Sequence, residues 1–285
     1  MYVVLGASGH IGSSVVKALQ ERELGVTAVV HSRENADALD GPHTTIRVVD
    51  IRDARALAGV LGTGQRAFLL NPPANPGTDT DAAEMATASS IAEAVRHPRL
   101  EKVVVASTYG AQPGIRIGDL SVLYAFERMV EATGVPTAIN RGAYYFTNLD
   151  QFLDAARAGR IETPFPGGLV MPMVSPDDLG VAAVARLMSA IDDVGVQYVE
   201  GPERLTFRQV AEVFAEELGR SVELATTPRA EIETYFRSLG FSNEAAASYT
   251  RMTKATIDGV ELPDSPTRGS TNARDYIGRL VKRER

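Results

Sequence analysis

The stretch VVLGASGHIG, residues 3–12, decides the fold of this 285-residue chain. An apolar run predicted as a strand (Tyr2–Leu5) leads into three glycines spaced G-x-x-G-x-x-G, and a helical pattern (Ile11–Leu19) follows them. In this setting the glycines let the backbone approach a pyrophosphate, and the helix N-terminus faces the anion. We therefore predict a dinucleotide loop, in which His10 fits a solvent-facing residue equally well. Its residues are Gly6, Ser8, Gly9, His10, Ile11 and Gly12.

Composition and charge restrict the class of protein. Hydrophobic residues make up 44% of the chain and charged residues 23%, as in ordinary globular proteins. The net charge of −7 argues against nucleic-acid binding, and the lack of an 18-residue apolar run argues against a membrane span. Zero cysteines exclude a disulfide framework and a zinc-thiolate site, and we predict no metal site. The first strand leaves no room for a signal peptide, so we expect a cytoplasmic protein. The basic tail Arg279–Arg285 is expected to be a solvated helix end.

The first half of the chain alternates short apolar runs with helical patterns. This alternation predicts right-handed βαβ crossovers and an α/β fold with a Rossmann-type, doubly wound parallel sheet. The predicted strands are Tyr2–Leu5, Val26–Val30, Thr45–Val49, Ala67–Leu70, Lys102–Ala106 and Thr137–Asn140. The predicted helices are Ile11–Leu19, Asp53–Leu61, Ala82–Val95 and Leu120–Ala132.

Helical patterns dominate after about residue 150. We predict a dinucleotide-binding domain over 1–155, with 176–200 packing back on it, and a smaller, mainly helical domain over 156–285. The smaller domain should lie over the carboxyl edge of the sheet. Thr206 and Gln209 predict a capping box. The helical segments are Leu149–Ala158, Asp177–Ile191, Thr206–Leu218, Arg229–Leu239 and Asn243–Ile257.

The end of the second strand indicates which nicotinamide cofactor is bound. A carboxylate there would bind a ribose hydroxyl, whereas a cation accommodates a 2′-phosphate. His31, Ser32 and Arg33 occupy this position, and the guanidinium of Arg33 suits bidentate phosphate contact. NADP(H) is therefore favoured over NAD(H). The alternative is that Arg33 begins a solvated helix.

Three further strand ends should lie beside the cofactor. After the third strand, Asp50 could accept from the adenine amino group, Ile51 lies next to it, and Asp53 is expected to cap the following helix. After the fourth strand, Asn71 and Pro72 should pass beside the nicotinamide half. The fifth strand ends in Ser107, Thr108 and Tyr109. Their hydroxyls are either catalytic, or they only form hydrogen bonds with the end of the strand and with the ribose of the cofactor.

Taken together, six motifs resemble the NmrA-like family, an atypical branch of the short-chain dehydrogenases/reductases. The resemblance covers nearly the whole chain and implies an NAD(P)-binding Rossmann domain with a substrate cleft against a small C-terminal domain. Members include NAD(P)H-dependent quinone and triphenylmethane-dye reductases, isoflavone-type reductases and proteins that bind the dinucleotide without turnover. The motifs are GASGHIG (6–12), VVDIRD (48–53), VVVASTYGA (103–111), ATGVPTAINRGAYYFTNL (132–149), VSPDDLG (174–180) and GPERLTFRQVAEVFAEELGR (201–220).

The chain departs from its relatives at the catalytic positions. It lacks the Tyr-x-x-x-Lys motif of typical short-chain dehydrogenases. In NmrA-like reductases a Lys or His often lies four residues before a helix glutamate, and by this resemblance Glu127 is that glutamate and Leu123 the matching position. A leucine cannot donate a proton. Tyr124 and Arg128, at i and i+4, are a weaker candidate because their register differs and a surface pair is commoner.

The resemblance also implies residues on the nicotinamide and substrate side of the cleft. Gly142, Tyr144 and Leu123 are expected beside the cofactor. Tyr109 and Tyr144 are the catalytic candidates, since a phenol could stabilise a developing oxyanion. The alternative for the aromatic residues is plain packing. The predicted substrate contacts are Tyr109, Phe146, Asn148, Phe165, Met173 and Tyr249.

Two functions remain open from the sequence. The first is an NADPH-dependent oxidoreductase that transfers hydride to a small apolar acceptor such as a quinone, a dye or an enone. The second is a non-catalytic NADP(H) sensor that acts on a protein partner. Either protein could be a monomer or a homodimer.

Overall fold

The strands form one large sheet and two small ones in the computed structural model, which describes residues 1–34 and 36–283. The strands are β1 (Tyr2–Val4), β2 (Val26–Val30), β3 (Thr44–Val48), β4 (Arg66–Leu69), β5 (Lys102–Thr108), β6 (Thr137–Gly142), β7 (Tyr144–Tyr145), β8 (Arg160–Thr163), β9 (Val170–Val174), β10 (Gly195–Glu200), β11 (Arg204–Thr206), β12 (Glu223–Thr226) and β13 (Thr267–Arg268).

Helices cover both faces of the large sheet. They are α1 (His10–Gln20), α2 (Ala54–Leu61), α3 (Thr80–Val95), α4 (Asp119–Glu131), α5 (Leu153–Arg157), α6 (Pro176–Met188), α7 (Phe207–Leu218), α8 (Ile232–Ser238), α9 (Asn243–Asp258) and α10 (Ala273–Arg283). In the described part of the chain, no helix is long and apolar enough to cross a membrane.

The large sheet has eight parallel strands in the order β13-β10-β6-β5-β4-β1-β2-β3. The predicted Rossmann-type, doubly wound fold is confirmed, because β3-β2-β1-β4-β5-β6 is the Rossmann order. Alternate residues of one strand serve the two faces: Val3 packs with α2, α3 and α4, and Val4 packs with α1 and α6. The carboxyl ends of β1 to β6 therefore lie along one edge of the sheet, the carboxyl edge.

The second half of the chain both extends this sheet and builds a separate layer. The segment 176–200 supplies α6, which packs on α1, and β10, which pairs with β6. Thr206 and Gln209 form the predicted capping box at α7. The division at residue 155 stays a prediction.

Several elements of this half differ from the sequence expectations. Short strands form a three-stranded sheet (β11-β9-β7) and a two-stranded sheet (β12-β8), so the layer is less helical than expected. The predicted helix Leu149–Ala158 is a 3-10 segment, Phe146–Phe152, followed by the short α5. The basic tail belongs to α10 as far as Arg283, and residues 284–285 lie outside the described residues.

The position of α1 depends on a contact between two glycines of the opening loop. Gly6 has φ +64°, a left-handed conformation that favours glycine. A Cβ on Gly12 would lie 2.1 Å from the carbonyl oxygen of Gly6, closer than any packed atom pair allows. Glycine at position 12 therefore lets α1 begin directly against the end of β1.

We predict that Gly12→Ala lowers the free energy of unfolding by more than about 2 kcal/mol, because the added methyl group must push α1 away from the loop. The matched control is Gly59→Ala in α2, where a Cβ would have nothing within 4 Å of it. The control should be neutral or stabilising by up to about 1 kcal/mol. Urea unfolding measures both, and equal effects would contradict the steric explanation.

Candidate functional site

The first turn of α1 is open to solvent at the carboxyl edge. Gly9 is the N-cap residue and has no side chain with which to satisfy the free N–H groups of this turn. Its own N–H bonds to the carbonyl oxygen of Gly6 at 3.0 Å, which closes the loop. Ser8, Gly9 and His10 are exposed, while Ile11 is half-buried. Unsatisfied N–H groups at the positive end of a helix form a site for an anion.

The residues after β2 provide positive charge beside this turn. β2 is the neighbour of β1 in the sheet, so their carboxyl ends adjoin. Arg33 and His31 are exposed there, and Ser32 is half-buried. Solvent exposure leaves the guanidinium of Arg33 without the burial that would hold it in one place.

The residues after β3 divide into one exposed carboxylate and two structural groups. Asp50 is exposed, and one of its carboxylate oxygens accepts the N–H of Arg52 at 2.9 Å. The carbonyl oxygen of Ile51 accepts the Ser90 hydroxyl at 2.8 Å. Asp53 caps α2, as predicted, by accepting the N–H of Ala56 at 3.0 Å.

A buried ion pair holds α4 against the ends of β5 and β6. Glu127 is fully buried and accepts two hydrogen bonds from Arg141, at 2.9 and 2.7 Å. The Ser107 hydroxyl donates to the same carboxylate at 2.5 Å. Ser107 and Arg141 thus anchor the two strand ends, and the hydroxyl of Ser107 is already engaged.

Of the two candidates on α4, Leu123 carries no acidic group and Tyr124 contacts Arg128. Leu123 is half-buried and packs against the apolar cluster between the sheet and α2–α4. The guanidinium of Arg128 lies 5.4 Å from the centre of the Tyr124 ring and binds Glu131 at 2.7 Å. This is a cation–π contact on one helix face, with the cation over the ring.

Tyr109 lies on the opposite face of the sheet from α4. Its ring contacts the Tyr198 ring edge to face at 5.0 Å, and its apolar neighbours include Ile11 of the opening loop. The side chain is 6% exposed, and its hydroxyl has no partner among the described residues. Burial, reinforced by the nearby Glu200, raises the pKa of Tyr109 above its usual value, so the phenol keeps its proton.

The catalytic candidate Tyr144 and two of the predicted substrate residues, Asn148 and Phe165, lie together at the start of the second layer. Tyr144 contacts the Phe165 ring edge to face at 5.9 Å, and Asn148 lies near its hydroxyl. Tyr144 and Phe165 are half-buried, and Asn148 is exposed. Burial raises the pKa of Tyr144. Gly142 ends β6 just before this group, and an added Cβ there would meet Leu179 and Tyr145 at 2.9 Å.

Two predicted substrate residues are instead in the core of the second layer. Phe146 is 1% exposed and stacks on Tyr276 with ring centres 5.3 Å apart. Met173 is fully buried in the same cluster. The 3-10 turn after β7 and the pleat of β9 direct these side chains inward. Phe146 and Met173 therefore leave the set of candidate substrate contacts.

A group of carboxylic acids that sequence analysis missed lies between α3, α4 and α9. Glu84 of α3 and Asp119 of α4 are joined by a hydrogen bond between their carboxyl groups. Glu84 is 4% exposed, and it accepts the N–H of Ala74 at 2.8 Å. Tyr249 of α9 lies near both acids. Its burial and the negative charge of these acids raise the pKa of its phenol. Burial and the neighbouring Asp119 raise the pKa of Glu84 to about 8.

The acidic group adjoins the end of β4. Asn71 is 9% exposed, and its amide N–H donates to the backbone oxygen of Glu84 at 3.1 Å. Pro72 follows it and is half-buried. Asp119 lies one helical turn before Leu123, on the same side of α4. That spacing was visible in the sequence, but the partner acid is 35 residues away and only the fold joins them.

Comparison with known proteins places the chain in a family. Residues 2–261 match the model of the NmrA-like family. The chain belongs to the NmrA-like family. It is 25% identical to the NAD(P)H azoreductase of Xenophilus azovorans, over 86% of this chain and 84% of that protein.

Two solved structures have a similar fold. The NADPH-dependent quinone oxidoreductase of Escherichia coli complexed with NADPH has a TM-score of 0.80 and 19% identity, covering 98% of this chain and 99% of that one. The negative transcriptional regulator NmrA has a TM-score of 0.72 and 16% identity, covering 99% of this chain and 96% of that one. At these identities the likeness concerns the fold.

Proposed function

We propose that the protein is an NADPH-dependent oxidoreductase that transfers hydride to an apolar acceptor such as a quinone, a dye or an enone. The observation that carries the proposal is the exposed, uncapped first turn of α1 at the carboxyl edge of the sheet. The family membership and the reductases among the similar proteins support the same function.

The opening loop fits the pyrophosphate of a dinucleotide. An added Cβ on Gly9 would meet its nearest protein atom, the Gly6 carbonyl oxygen, at 3.4 Å, which is ordinary contact. The protein itself therefore leaves space for a side chain at Gly9, and the space is explained by a ligand that approaches this backbone. Free N–H groups of the first turn of α1 would hold the phosphates, with Ser8 and His10 beside them.

The nucleoside at the other end would be held by the ends of β2 and β3. Arg33 and His31 offer positive charge for a 2′-phosphate, and Asp50 offers an acceptor for the adenine amino group. These charges favour NADP(H). Because Arg33 is exposed to solvent, salt screens its charge. Its contribution to the affinity for NADPH should therefore fall as the salt concentration rises.

The acceptor would lie between the nicotinamide and the second layer. When bound, the dihydronicotinamide supplies the hydride. Tyr144, Phe165 and Tyr249 offer aromatic surface for a flat acceptor, and Asn148 offers a polar contact. Their task is to orient the acceptor and to exclude water from it. Tyr109 and Tyr144 can donate hydrogen bonds to a developing oxyanion because both phenols keep their protons.

A dinucleotide sensor without turnover is the second candidate. The observation that favours it is Leu123, an apolar side chain at the position where the family resemblance leads us to expect a Lys or His. The similarity in fold to the regulator NmrA agrees with it. The two candidates differ in whether bound NADPH is oxidised.

Titration of the protein with NADPH and NADH, followed by nicotinamide fluorescence, tests cofactor binding, and absorbance with a panel of quinones, dyes and enones tests turnover. We expect tighter binding of NADPH and oxidation of NADPH by at least one acceptor class. Tight binding with no oxidation across the panel would contradict the reductase and support the sensor. A preference for NADH would contradict the role of Arg33.

Gly9→Ala should weaken NADPH binding by about tenfold or more without loss of stability. The backbone of Gly9, at φ −82° and ψ 170°, accepts an alanine, and the methyl group would occupy space that the pyrophosphate needs. Gly168→Ala is the control, since a Cβ at this position would have nothing within 4 Å of it. Unchanged affinity in Gly9→Ala, or a loss shared by Gly168→Ala, would show that the loop is not the pyrophosphate site.

A further inference from the structure

We propose that the carboxyl pair, Glu84 and Asp119, holds a proton and delivers it to the acceptor through Asp119. The inference rests on the proposed oxidoreductase function and gives that site a proton donor. It is carried by the direct hydrogen bond between the two carboxyl groups at the carboxyl edge and by the unpartnered polar atoms around them.

The carboxyl pair lies where the nicotinamide half of the cofactor is expected. Asn71, at the end of β4, binds the backbone of Glu84, and Ala74 of the same loop binds its carboxylate. Asp119 begins α4, the helix that Glu127 holds against β5 and β6. The sheet order puts β5 between β4 and β6. The pair is therefore next to the strand ends at the middle of the edge.

A hydrogen bond between two carboxyl groups requires a proton on one of them. Burial raises the pKa of Asp119 as well as that of Glu84, but Glu84 is the more buried partner. The hydrogen bond from Glu84 and the position of Asp119 at the start of α4 both act against the rise at Asp119. The shared proton therefore rests on Glu84 and points to Asp119. Two adjacent acids titrate as one unit, and their mutual repulsion keeps the proton bound at neutral pH.

Among the described residues that face the carboxyl pair, we find no cation that would stabilise both carboxyl groups in their charged form. Asp81 of α3 adds negative charge near Glu84, and Tyr145 and Tyr249 are neutral phenols near Asp119. Arg116 is the cation near Asp81, and it is bound to Asp79 at 2.8 and 3.1 Å. The pair is thus held in an acidic, partly dry setting that favours the protonated state.

Unpartnered polar atoms around the pair point to a ligand. The amide oxygen of Asn71 and one carboxylate oxygen of Asp81 are buried and have no partner among the described residues. The other oxygen of Asp81 accepts the Ser248 hydroxyl at 2.7 Å. Both free atoms are acceptors at residues at least nine-tenths buried, and an N–H or O–H group of a bound molecule would satisfy them.

The proposed step balances for an acceptor that gains negative charge. Hydride from the dihydronicotinamide brings two electrons and one hydrogen to a quinone, and the negative charge develops on a quinone oxygen. The proton passes from Glu84 to Asp119, the O–H bond of Asp119 breaks, and a new O–H bond forms on the product. Solvent then returns one proton to the pair.

The carboxyl pair suits this step better than the other acidic groups at the edge. General acids work best when their pKa lies near the working pH, and burial raises the pKa of Glu84 to about 8. Burial also raises the pKa values of Tyr109 and Tyr144, but an ordinary phenol already has a pKa above neutrality, so the rise takes these two further from pH 7. Those two phenols can donate a hydrogen bond but hold their protons too firmly to release them.

Infrared spectroscopy tests the shared proton without any turnover. At pH 7 the wild-type protein should show the C=O band of a protonated carboxylic acid, which disappears as pH rises through about 8. Asp119→Asn should shift the midpoint of this band to lower pH, because the neighbouring charge is gone. Glu93→Gln, an exposed substitution on the same helix α3, should change nothing. Absence of the band from wild type at pH 7 would overturn the proposal.

Kinetics with two acceptors tests delivery of the proton. Reduction of a quinone consumes a proton, whereas a cationic triarylmethane dye becomes neutral on accepting hydride alone. We expect Glu84→Gln and Asp119→Asn to lower kcat with the quinone by about a hundredfold, with kcat for the dye and the NADPH affinity within about threefold of wild type. The kcat of the wild type with the quinone should also fall as pH rises through about 8, and both variants should lose that fall.

The outcomes separate this inference from the proposed function. Equal losses of kcat with both acceptors would mean that the pair only positions the cofactor or the loop after β4, and would overturn the donor role. Unchanged kcat with the quinone would overturn it as well. If wild type oxidises NADPH with neither acceptor, the oxidoreductase function fails and the donor role fails with it, while the infrared band still decides whether the pair holds a proton.

Discussion

The close approach of Gly12 to the carbonyl oxygen of Gly6 is the constraint on which the site depends. Because no Cβ lies between them, α1 begins directly against the end of β1 and leaves its first-turn N–H groups at the carboxyl edge. The same helix packs on α6 by another close contact, in which a Cβ added to Gly180 would lie 2.7 Å from Ser14. The position of α1 thus determines where the anion site lies, and through this contact it also positions α6, the helix that leads into β10.

The carboxyl edge divides into two electrostatic halves. Backbone N–H groups and Arg33 make the β1–β2 half attractive to phosphates, while Glu84, Asp119 and Asp81 make the part near β4 acidic. NADPH would fit this division, since its 2′-phosphate and pyrophosphate lie on the adenosine side of the molecule and its uncharged dihydronicotinamide lies at the other end. Between the halves, the buried pair of Glu127 and Arg141 keeps α4 in place and is itself neutral.

The sequence predicted those features that depend on local pattern. Strands buried on both faces read as continuous apolar runs, so β1 to β6 and the doubly wound sheet were recognisable, and the glycine spacing marked the turn between β1 and α1. Side-chain direction after β6 was not recognisable, because a 3-10 turn sends Phe146 into the core. The carboxyl pair was missed for a different reason: Glu84 and Asp119 come from two helices, and their chemistry arises from burial that no local pattern encodes.

Isotopic labelling tests whether the protein transfers hydride from NADPH to an acceptor. NADPH carrying deuterium at both C4 positions is incubated with the protein and a triarylmethane dye, whose central carbon keeps any hydride it receives. We expect one deuterium on that carbon by mass spectrometry and a slower reaction than with unlabelled NADPH. A product that carries hydrogen from solvent at that carbon, or NADPH that stays bound and unoxidised, would contradict hydride transfer.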